Sequence, residues 1–348
     1  MKTAVVLFNL GGPDSLNAVR PFLYNLFSDK AIIGAPTPIR QLIAHIISQR
    51  RSNTAKEIYE HLGGKSPILE QTELQSLALK KRLESESPED EIEIFISMRY
   101  WKPFVEETII NVEKFNPQQI VLLPLYPQFS TTTTGSAFNS WWKSTKGSTL
   151  EHIPTVTICS YPSNKGLISA QTDLIREAIQ TNRLSDYRLL LSAHGLPKKI
   201  IQQGDPYQKQ VEKTASAIVE GLGIEKLDWC ICYQSRVGPL EWIGPATEDE
   251  IKKAGKDKKN VMIVPIAFIS EHSETLVELD IEYLKLAKDC GVEEYHRVPT
   301  VGTHEDFISG LANLVGGAVS AIRNNKLRNK IGPKNVRIRC PSCDCISI

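Results

Sequence analysis

The sequence predicts an α/β protein of two domains, each with a four-stranded parallel sheet flanked by helices. The chain has 348 residues, enough for two domains of about 150 residues each. Short β-branched runs that end in Gly, Pro or Ser alternate with longer helical patterns, which is typical of βαβ units. There are eight such runs, four in each half of the chain.

The predicted strands leave room for helices between them. In the first half they are 3–8, 92–97, 120–123 and 156–159, and in the second half 188–192, 229–233, 261–266 and 295–299. Helical patterns include 103–115, 206–221 and 273–290. We expect a first domain at 1–160 and a second at 161–305. A helix at 306–325 is expected to cross back to the first domain, and 326–348 to form a linker and a cysteine-containing tail.

Composition and charge exclude several classes of protein. The sum of 41 Lys and Arg against 40 Asp and Glu gives a net charge of +1, which argues against general nucleic-acid binding. No apolar run approaches the roughly 18 residues of a membrane-spanning helix. The opening residues MKTAVVLFNLGGPDS are typical of a strand and a turn rather than a signal peptide, so we expect a cytoplasmic protein.

His194 directly follows a predicted buried strand and precedes a Gly-Leu-Pro turn. Ligands of doubly wound folds bind beyond the carboxyl ends of the strands. A neutral imidazole at this position can accept a proton or bind a divalent metal near pH 7. The alternative is a loop histidine that hydrogen-bonds only to backbone.

A group of acidic residues follows the strand that ends in PIAF (265–268). Glu271, Glu274 and Glu278 have the spacing of one face of an α-helix, with His272 in its first turn. Such a face is either solvated and favoured by the positive helix N-terminus, or it binds a cation. The position after a strand favours the cation.

Two stretches, 125–142 and 233–245, together with Phe268, supply aromatic residues near predicted strand ends. Taken singly, such residues belong to the core more often than to a ligand site, but together they suit a rigid slot for a flat ligand. The residues are Tyr126, Phe129, Trp141, Trp142, Trp242 and Phe268. The sequence therefore indicates a site that handles a cation beside a large planar apolar molecule.

Five stretches of sequence, read in order, resemble the ferrochelatases, enzymes that insert ferrous iron into a porphyrin to make haem. They are FNLGGPDS (8–15), LPLYPQFSTTTTGS (123–136), SAHGLP (192–197) with GDPY (204–207), YQSRVGPLEWIGP (233–245) and PIAFISEHSETLVELDIEY (265–283). The resemblance covers about residues 3–310. It implies two Rossmann-like domains in the class II chelatase fold. It also implies a lyase of haem biosynthesis that takes protoporphyrin IX and Fe2+ and releases two protons.

The resemblance also implies roles for individual residues. His194 matches the active-site histidine and Glu274 its acidic partner, and these two are the expected Fe2+ contacts. His272 and Glu278 continue the acidic path. The residues expected to bind the porphyrin are Leu10, Arg51, Ser66, Arg99, Tyr100, Trp242 and Phe268. Arg51 and Ser66 match positions that hold propionates.

Three of the seven cysteines, Cys340, Cys343 and Cys345, lie in the last nine residues. Disulfides are rare in the cytosol, so a metal is the better interpretation of this spacing. Some ferrochelatases carry a [2Fe–2S] cluster with three carboxyl-terminal cysteines and one internal cysteine. The position that matches the internal ligand of the animal enzymes is Ala170, and Cys159 is the best replacement because it ends a predicted strand. Zinc and free thiols are the alternatives.

Other functions stay open at this point. Within the family they are a coproporphyrin ferrochelatase or a cobalt chelatase, and outside it a porphyrin or haem carrier without catalysis. Apolar residues in 29–48, at Ile32, Ile33, Ile39, Leu42, Ile43 and Ile46, predict a lip that touches the surface of the inner membrane, with core packing as the alternative. The oligomeric state is open as well, with a homo-oligomer among the options.

Overall fold

The computed structural model describes residues 1–183, 186–323 and, as backbone alone, 337–339. The chain divides into two compact units. One comprises Met1–Tyr161 and the chain from Ile308 onwards, and the other comprises Pro162–Phe307. The helix Glu305–Arg323 therefore begins in the second unit and continues in the first.

Nine strands form two parallel sheets in the described residues. They are β1 (Lys2–Asn9), β2 (Glu91–Met98), β3 (Gln119–Pro124), β4 (Thr155–Thr157), β5 (Tyr187–His194), β6 (Trp229–Gln234), β7 (Asn260–Pro265), β8 (Tyr295–Arg297) and β9 (Arg337–Arg339). The first unit has the order β2-β1-β3-β4-β9, and the second has the order β6-β5-β7-β8.

The helices pack against both sheets. In the first unit they are α1 (Val19–Ser28), α2 (Thr37–Glu60), α3 (Ile68–Glu86), α4 (Val105–Phe115) and α5 (Thr134–Ser144). The second unit has α6 (Lys165–Asn182), α7 (Lys198–Gln202), α8 (Tyr207–Leu222), α9 (Thr247–Lys256) and a π-helix (Glu274–Tyr283) that continues as α10 (Leu284–Asp289). The helix Glu305–Arg323 is α11. Short 3-10 turns lie at Leu16–Ala18 and Thr149–His152.

The centre of each sheet is apolar on both faces. The side chains of Ala4, Val5, Val6 and Leu7 in β1 are fully buried, as are those of Met262, Ile263 and Val264 in β7. Parallel strands covered by helices on both faces have such continuous apolar runs, since no face meets water. These runs are the signal that predicts the strands from sequence.

The predicted fold class and all eight predicted strands are confirmed. The sequence interpretation did not include β9. This strand lies within the segment expected to be a linker, and it pairs with β4. Its three residues alternate Arg, Ile and Arg, which is too short a run to stand out. The segment 273–290 is helical as expected, but ten of its residues, Glu274–Tyr283, form a π-helix.

Candidate active site

The candidate site of the second unit lies at the carboxyl ends of β5 and β7. His194 is the last residue of β5, and Ser192 of β5 is in register with Pro265, the last residue of β7. After β7 the chain runs through Phe268 and His272 into the π-helix that begins at Glu274. Because parallel strands end at the same edge, His194 and Glu274 come together although they are 80 positions apart.

Glu274 lies between two imidazoles. Its Oε2 atom is 3.8 Å from Nε2 of His194 and 4.0 Å from Nε2 of His272, too far for a hydrogen bond in either case. Among the described residues, Oε2 of Glu274 and Nδ1 of His272 are buried without a hydrogen-bond partner. Buried polar atoms without partners are rare and often mark a functional site. We call His194, His272, Glu274 and Glu278 the His–Glu cluster.

The His194 ring is oriented by backbone. Its Nδ1 atom is 2.6 Å from the carbonyl oxygen of Gly195. A carbonyl oxygen can only accept, so Nδ1 carries the proton in the neutral ring and Nε2 keeps its lone pair. His194 therefore makes a backbone hydrogen bond, as in the alternative of a loop histidine. This bond uses only Nδ1, so Nε2, on the side of Glu274, can still accept a proton or bind a cation.

His272 is buried beside Phe268, whose ring it meets edge to face at a centroid distance of 4.6 Å. Burial lowers the pKa of His272 below the ordinary value of 6.5, although the nearby Glu274 and Glu271 carboxylates act in the opposite direction. His272 is therefore neutral near pH 7, and Glu274 is not neutralised by an imidazolium at that position.

Glu278 is held by four donors from two segments. Its carboxylate accepts hydrogen bonds from Nε2 of Gln234 at 3.0 Å, from the amide and hydroxyl of Ser235 at 2.7 and 2.5 Å, and from the hydroxyl of Tyr283 at 3.0 Å. Burial, followed by the charge of Glu274, raises the pKa of Glu278 above its ordinary value. Glu278 can therefore exchange protons nearer to neutral pH than an exposed carboxylate.

Glu271 does not belong to a helical acidic face, and this part of the sequence interpretation is wrong. The π-helix begins three residues later, and Oε1 of Glu271 accepts a hydrogen bond from Arg297 at 2.6 Å. Burial acts to raise the pKa of Glu271, but the Arg297 charge and the hydrogen bonds to the carboxylate lower it overall. Arg297 lies on β8, and the sequence pattern gave no reason to associate that strand with the Glu271 carboxylate.

Trp242 packs close to the His194 turn. A Cβ atom on Gly195 would lie 3.0 Å from the Gln234 carbonyl oxygen and 3.3 Å from Cε3 of Trp242. Glycine at position 195 therefore permits this approach. Nε1 of Trp242 is buried without a hydrogen-bond partner among the described residues.

In the first unit, Arg99 and Tyr100 belong to a hydrogen-bonded network around Asp29. Oδ2 of Asp29 accepts from Nη2 of Arg99 at 2.7 Å, from the hydroxyl of Tyr100 at 3.0 Å and from the hydroxyl of Ser136. Nε of Arg99 donates to Ser136 at 2.7 Å. We call Asp29, Arg99, Tyr100 and Ser136 the Asp29 network. Sequence reasoning missed Asp29 and Ser136, since neither stands near Arg99 in the chain.

The other residues expected to bind porphyrin in the first unit differ in exposure. Ser66 is buried. A Cβ atom on Gly12 would lie only 2.4 Å from the Ser66 side chain. Leu10 is half-buried, and Arg51 is exposed on α2. Tyr100 is 1% exposed, so its hydroxyl serves Asp29. Porphyrin contacts by these residues stay predictions.

Two aromatic residues that were expected to line a ligand slot belong to the core instead. Trp141 is 1% exposed and packs edge to face on Phe8 at 6.0 Å, and Phe129 is buried in the same apolar cluster. Trp141 lies on the buried side of α5, and Phe129 precedes that helix and packs in the same cluster with residues of β1 and β3. For Trp141 and Phe129, the interpretation as core residues was therefore better than the interpretation as walls of a ligand slot.

Cys159 is buried in the apolar core just after β4. The expected cluster ligands Cys340, Cys343 and Cys345 lie outside the described residues. Within the described part of the chain, no group of three or more His, Cys, Asp or Glu side chains is arranged to hold a metal. Cys232 is fully buried, and Sγ of Cys230 lies 3.5 Å from Oε2 of Glu250.

The fold defines the class of protein. The chain shares the fold of SirB from Bacillus subtilis, solved with Fe3+, with a TM-score of 0.53 and 13% identity over 93% of this chain and 98% of SirB. The class that the structure defines is therefore that of α/β proteins with the fold of SirB.

Sequence comparison identifies the family within that class. The family model named Ferrochelatase matches residues 2–318. The ferrochelatase of Pelagibacter ubique is 48% identical over 100% of this chain and 99% of its own length. That of Caulobacter vibrioides is 54% identical over 91% of this chain and 90% of its own length. The chain belongs to the ferrochelatase family.

Proposed function

We propose that this protein is a protoporphyrin ferrochelatase, which inserts Fe2+ into protoporphyrin IX and releases two protons during haem biosynthesis. Family membership supports the reaction. The observation that carries the assignment of the site is the Glu274 carboxylate oxygen, buried between two imidazole nitrogens without a hydrogen-bond partner among the described residues. An unsatisfied anion at this position attracts a cation.

The chemistry requires two protons to leave the pyrrole nitrogens as the metal enters. Pyrrole N–H groups are weak acids in the plane of the macrocycle, so a bent porphyrin presents its nitrogens better to a base and a metal. His194 accepts a pyrrole proton at Nε2, because Nδ1 already donates to Gly195. Glu274 attracts Fe2+, and His272 and Glu278 carry protons away.

The porphyrin-binding residues that the family resemblance implies keep those roles in this proposal. Leu10, Trp242 and Phe268 offer apolar contacts to the macrocycle, while Arg51 and Ser66 hold propionates. Arg99 keeps a quarter of its side chain exposed and is oriented by Asp29, so it is available to an anionic group. Tyr100 supports Arg99 through the same carboxylate.

A single-turnover assay of Fe2+ insertion, followed by haem absorbance, tests this function. We expect the wild-type chain to form haem and His194→Ala to lose about 10²-fold to 10⁴-fold in rate, as when a general base is removed. His296→Ala is the matched control, since His296 on β8 lies beside Glu294 and outside the His–Glu cluster. Near-wild-type insertion by His194→Ala contradicts the role of His194, and no insertion by the wild-type chain supports a carrier. Coproporphyrin and Co2+, offered in parallel, test the two alternatives within the family.

We further propose that Cys159, Cys340, Cys343 and Cys345 hold a [2Fe–2S] cluster, which takes four thiolates. Thr157 of β4 is in register with Arg339 of β9. Cys159 follows Thr157 by two positions, and Cys340 follows Arg339 by one. The parallel pairing of these short strands supports the choice of Cys159, because their carboxyl ends lie at the same edge of the sheet. The four thiolates would hold the cluster, and no step of the insertion is assigned to it.

An absorbance spectrum of the anaerobically purified protein tests the cluster. We expect a brown protein with sulfur-to-iron bands, and loss of these bands in Cys159→Ser. Cys290→Ser is the control, since Cys290 is a half-buried cysteine of the second unit. A colourless wild-type protein with bound zinc, or with neither metal, contradicts the cluster.

We also propose peripheral contact of α2 with a membrane surface. Ile39, Leu42 and Ile46 are 54%, 61% and 40% exposed and lie at i, i+3 and i+7 on one face of α2. Ile32, Ile33 and Ile43 are half-buried nearby in sequence. None of the described helices combines the length and the apolar character needed to cross a bilayer.

Co-sedimentation with anionic liposomes tests the α2 contact. We expect Leu42→Asp with Ile46→Asp to reduce the bound fraction. The matched control is Leu74→Asp with Leu77→Asp, which places the same charges on exposed leucines of α3. Equal binding by the wild-type chain and the α2 variant contradicts this contact.

A further inference from the structure

Arg297 on β8 joins two acidic residues of the segment that carries His272, Glu274 and Glu278. Its Nη1 atom donates to Oε1 of Glu271 at 2.6 Å. Its Nε and Nη2 atoms donate to Oδ1 and Oδ2 of Asp280 at 2.8 and 2.6 Å. One guanidinium therefore connects a residue before the π-helix to a residue within it.

The residues between these two contacts are those that handle protons and iron in the proposed function. His272, Glu274 and Glu278 all lie between Glu271 and Asp280 in the chain. Gln234 and Ser235 hold Glu278 from the side of β6. Arg297 holds the same segment from β8, the strand at the other edge of this sheet.

The π-helix that begins at Glu274 is ten residues long. Runs of π-helix are rare and mostly limited to single turns, so the backbone alone does not favour this length. We expect that removal of a contact that spans the start of the helix lets the segment shift toward α-helical register. Such a shift would move Glu274 relative to His194, which is the last residue of β5.

We propose that Arg297 is a positioning residue, which fixes His272, Glu274 and Glu278 for iron delivery to the porphyrin. This role rests on the function proposed above. The planar fork of arginine contacts both acidic residues at once, whereas a lysine can satisfy only one of them well. The Arg297 side chain is 12% exposed, so these bonds are largely shielded from water.

The second unit offers a matched control in Arg188. Nε and Nη2 of Arg188 donate to the two oxygens of Asp228 at 2.9 and 3.1 Å, and Nη1 donates to Asp257 at 3.0 Å. Its side chain is also 12% exposed. Arg188 lies near the amino end of β5, and His194 ends that strand. A Gln substitution therefore removes an equivalent ion-pair group far from the His–Glu cluster.

The experiment measures kcat and KM for Fe2+, together with porphyrin affinity by fluorescence quenching, in Arg297→Gln, Arg297→Lys and Arg188→Gln. We expect Arg297→Gln to lower kcat/KM for Fe2+ about tenfold to a hundredfold, as for a small misplacement of reacting groups. Porphyrin affinity should stay unchanged, and Arg297→Lys should lie between Arg297→Gln and the wild type. Arg188→Gln should keep wild-type kinetics even where it melts at a lower temperature.

Asp280→Asn keeps the test decisive if Arg297→Gln does not fold. This variant weakens one side of the contact and leaves Glu271 paired with Arg297, and we expect a smaller loss in kcat/KM for Fe2+, about threefold to tenfold. Wild-type iron kinetics in Asp280→Asn or Arg297→Gln overturn the role of Arg297, as does an equal loss in Arg188→Gln. Those results leave the proposed function intact. Absence of insertion by the wild-type chain refutes both.

Discussion

The two polar groups at the carboxyl ends of the sheets differ in how their hydrogen bonds are satisfied. In the Asp29 network, Arg99, Tyr100 and Ser136 all donate to one carboxylate oxygen. In the His–Glu cluster, the Glu274 carboxylate has an oxygen without a partner among the described residues, although two imidazoles lie within 4.0 Å. One group is complete without a ligand, and the other is not.

This difference in hydrogen bonding distinguishes a group that orients its own side chains from a group that is available to react. A satisfied network holds its members in one geometry and adds stability, because each donor would otherwise be buried without an acceptor. An unsatisfied carboxylate costs stability and is available to a cation. Substitutions in the two groups should therefore move stability and activity in different ways.

Glu274→Gln should have the largest effect on activity and little effect on stability. Glutamine keeps the size of the side chain but removes the charge that attracts Fe2+, so kcat/KM for Fe2+ should fall by about 10²-fold to 10³-fold. Stability should be unchanged or higher, since an unsatisfied buried oxygen no longer carries charge. Insertion assays and urea denaturation measure the two quantities.

Glu282→Gln is the control for this prediction. Glu282 lies on the same π-helix and is exposed, so the variant removes the same charge from the segment without altering the cluster. A strong loss of stability in Glu274→Gln would mean that the carboxylate is satisfied in solution, and the contrast with Asp29 would then disappear.

Asp29→Asn should show the opposite pattern, a loss of stability that exceeds its direct effect on chemistry. The variant leaves Arg99 without a charged acceptor and weakens the bonds from Tyr100 and Ser136. Because Arg99 is 25% exposed, solvent compensates part of the loss, and we expect about 1–3 kcal/mol in the free energy of unfolding.

Urea denaturation measures the stability of Asp29→Asn against Asp14→Asn, an exposed aspartate of the same unit. Unchanged stability in Asp29→Asn would show that its network is not a source of stability. The retained rate of iron insertion at saturating porphyrin should stay well above that of Glu274→Gln.

The sequence predicted those features of the fold and site that depend on local pattern. The buried strands appear as continuous apolar runs, and His194 and Glu274 were placed at strand ends by the order of strands and turns. Arg297 and Asp29 could not be predicted, because each acts on residues distant in the chain through side-chain geometry. The π-helix also escaped prediction, because π-helical runs are rare and the apolar spacing of this segment was interpreted as α-helical.

The smallest effect is expected from the pH dependence of stability at His272. Its pKa is lowered by burial from the ordinary value of 6.5, so at pH values between the two the unfolded chain binds a proton that the folded chain does not. The contribution of neutral His272 is therefore complete above about pH 6.5 and is lost as the pH falls toward the lowered pKa. His272→Phe keeps a ring against Phe268 but cannot bind a proton.

The unfolding free energy of His272→Phe relative to the wild type should therefore rise as the pH falls from about 7.5 to about 5, by at most about 1.4 kcal/mol per pH unit. Urea denaturation at several pH values measures the slope, and His45→Phe, on an exposed site of α2, should leave it unchanged. Parallel curves for His272→Phe and the wild type would show that His272 is protonated as readily in the folded chain as in the unfolded one. His272 would then neutralise Glu274 near pH 6, and the His–Glu cluster would be internally paired like the Asp29 network. A separation of the curves in the expected direction instead means that burial keeps His272 neutral, so that the charge of Glu274 stays available to iron.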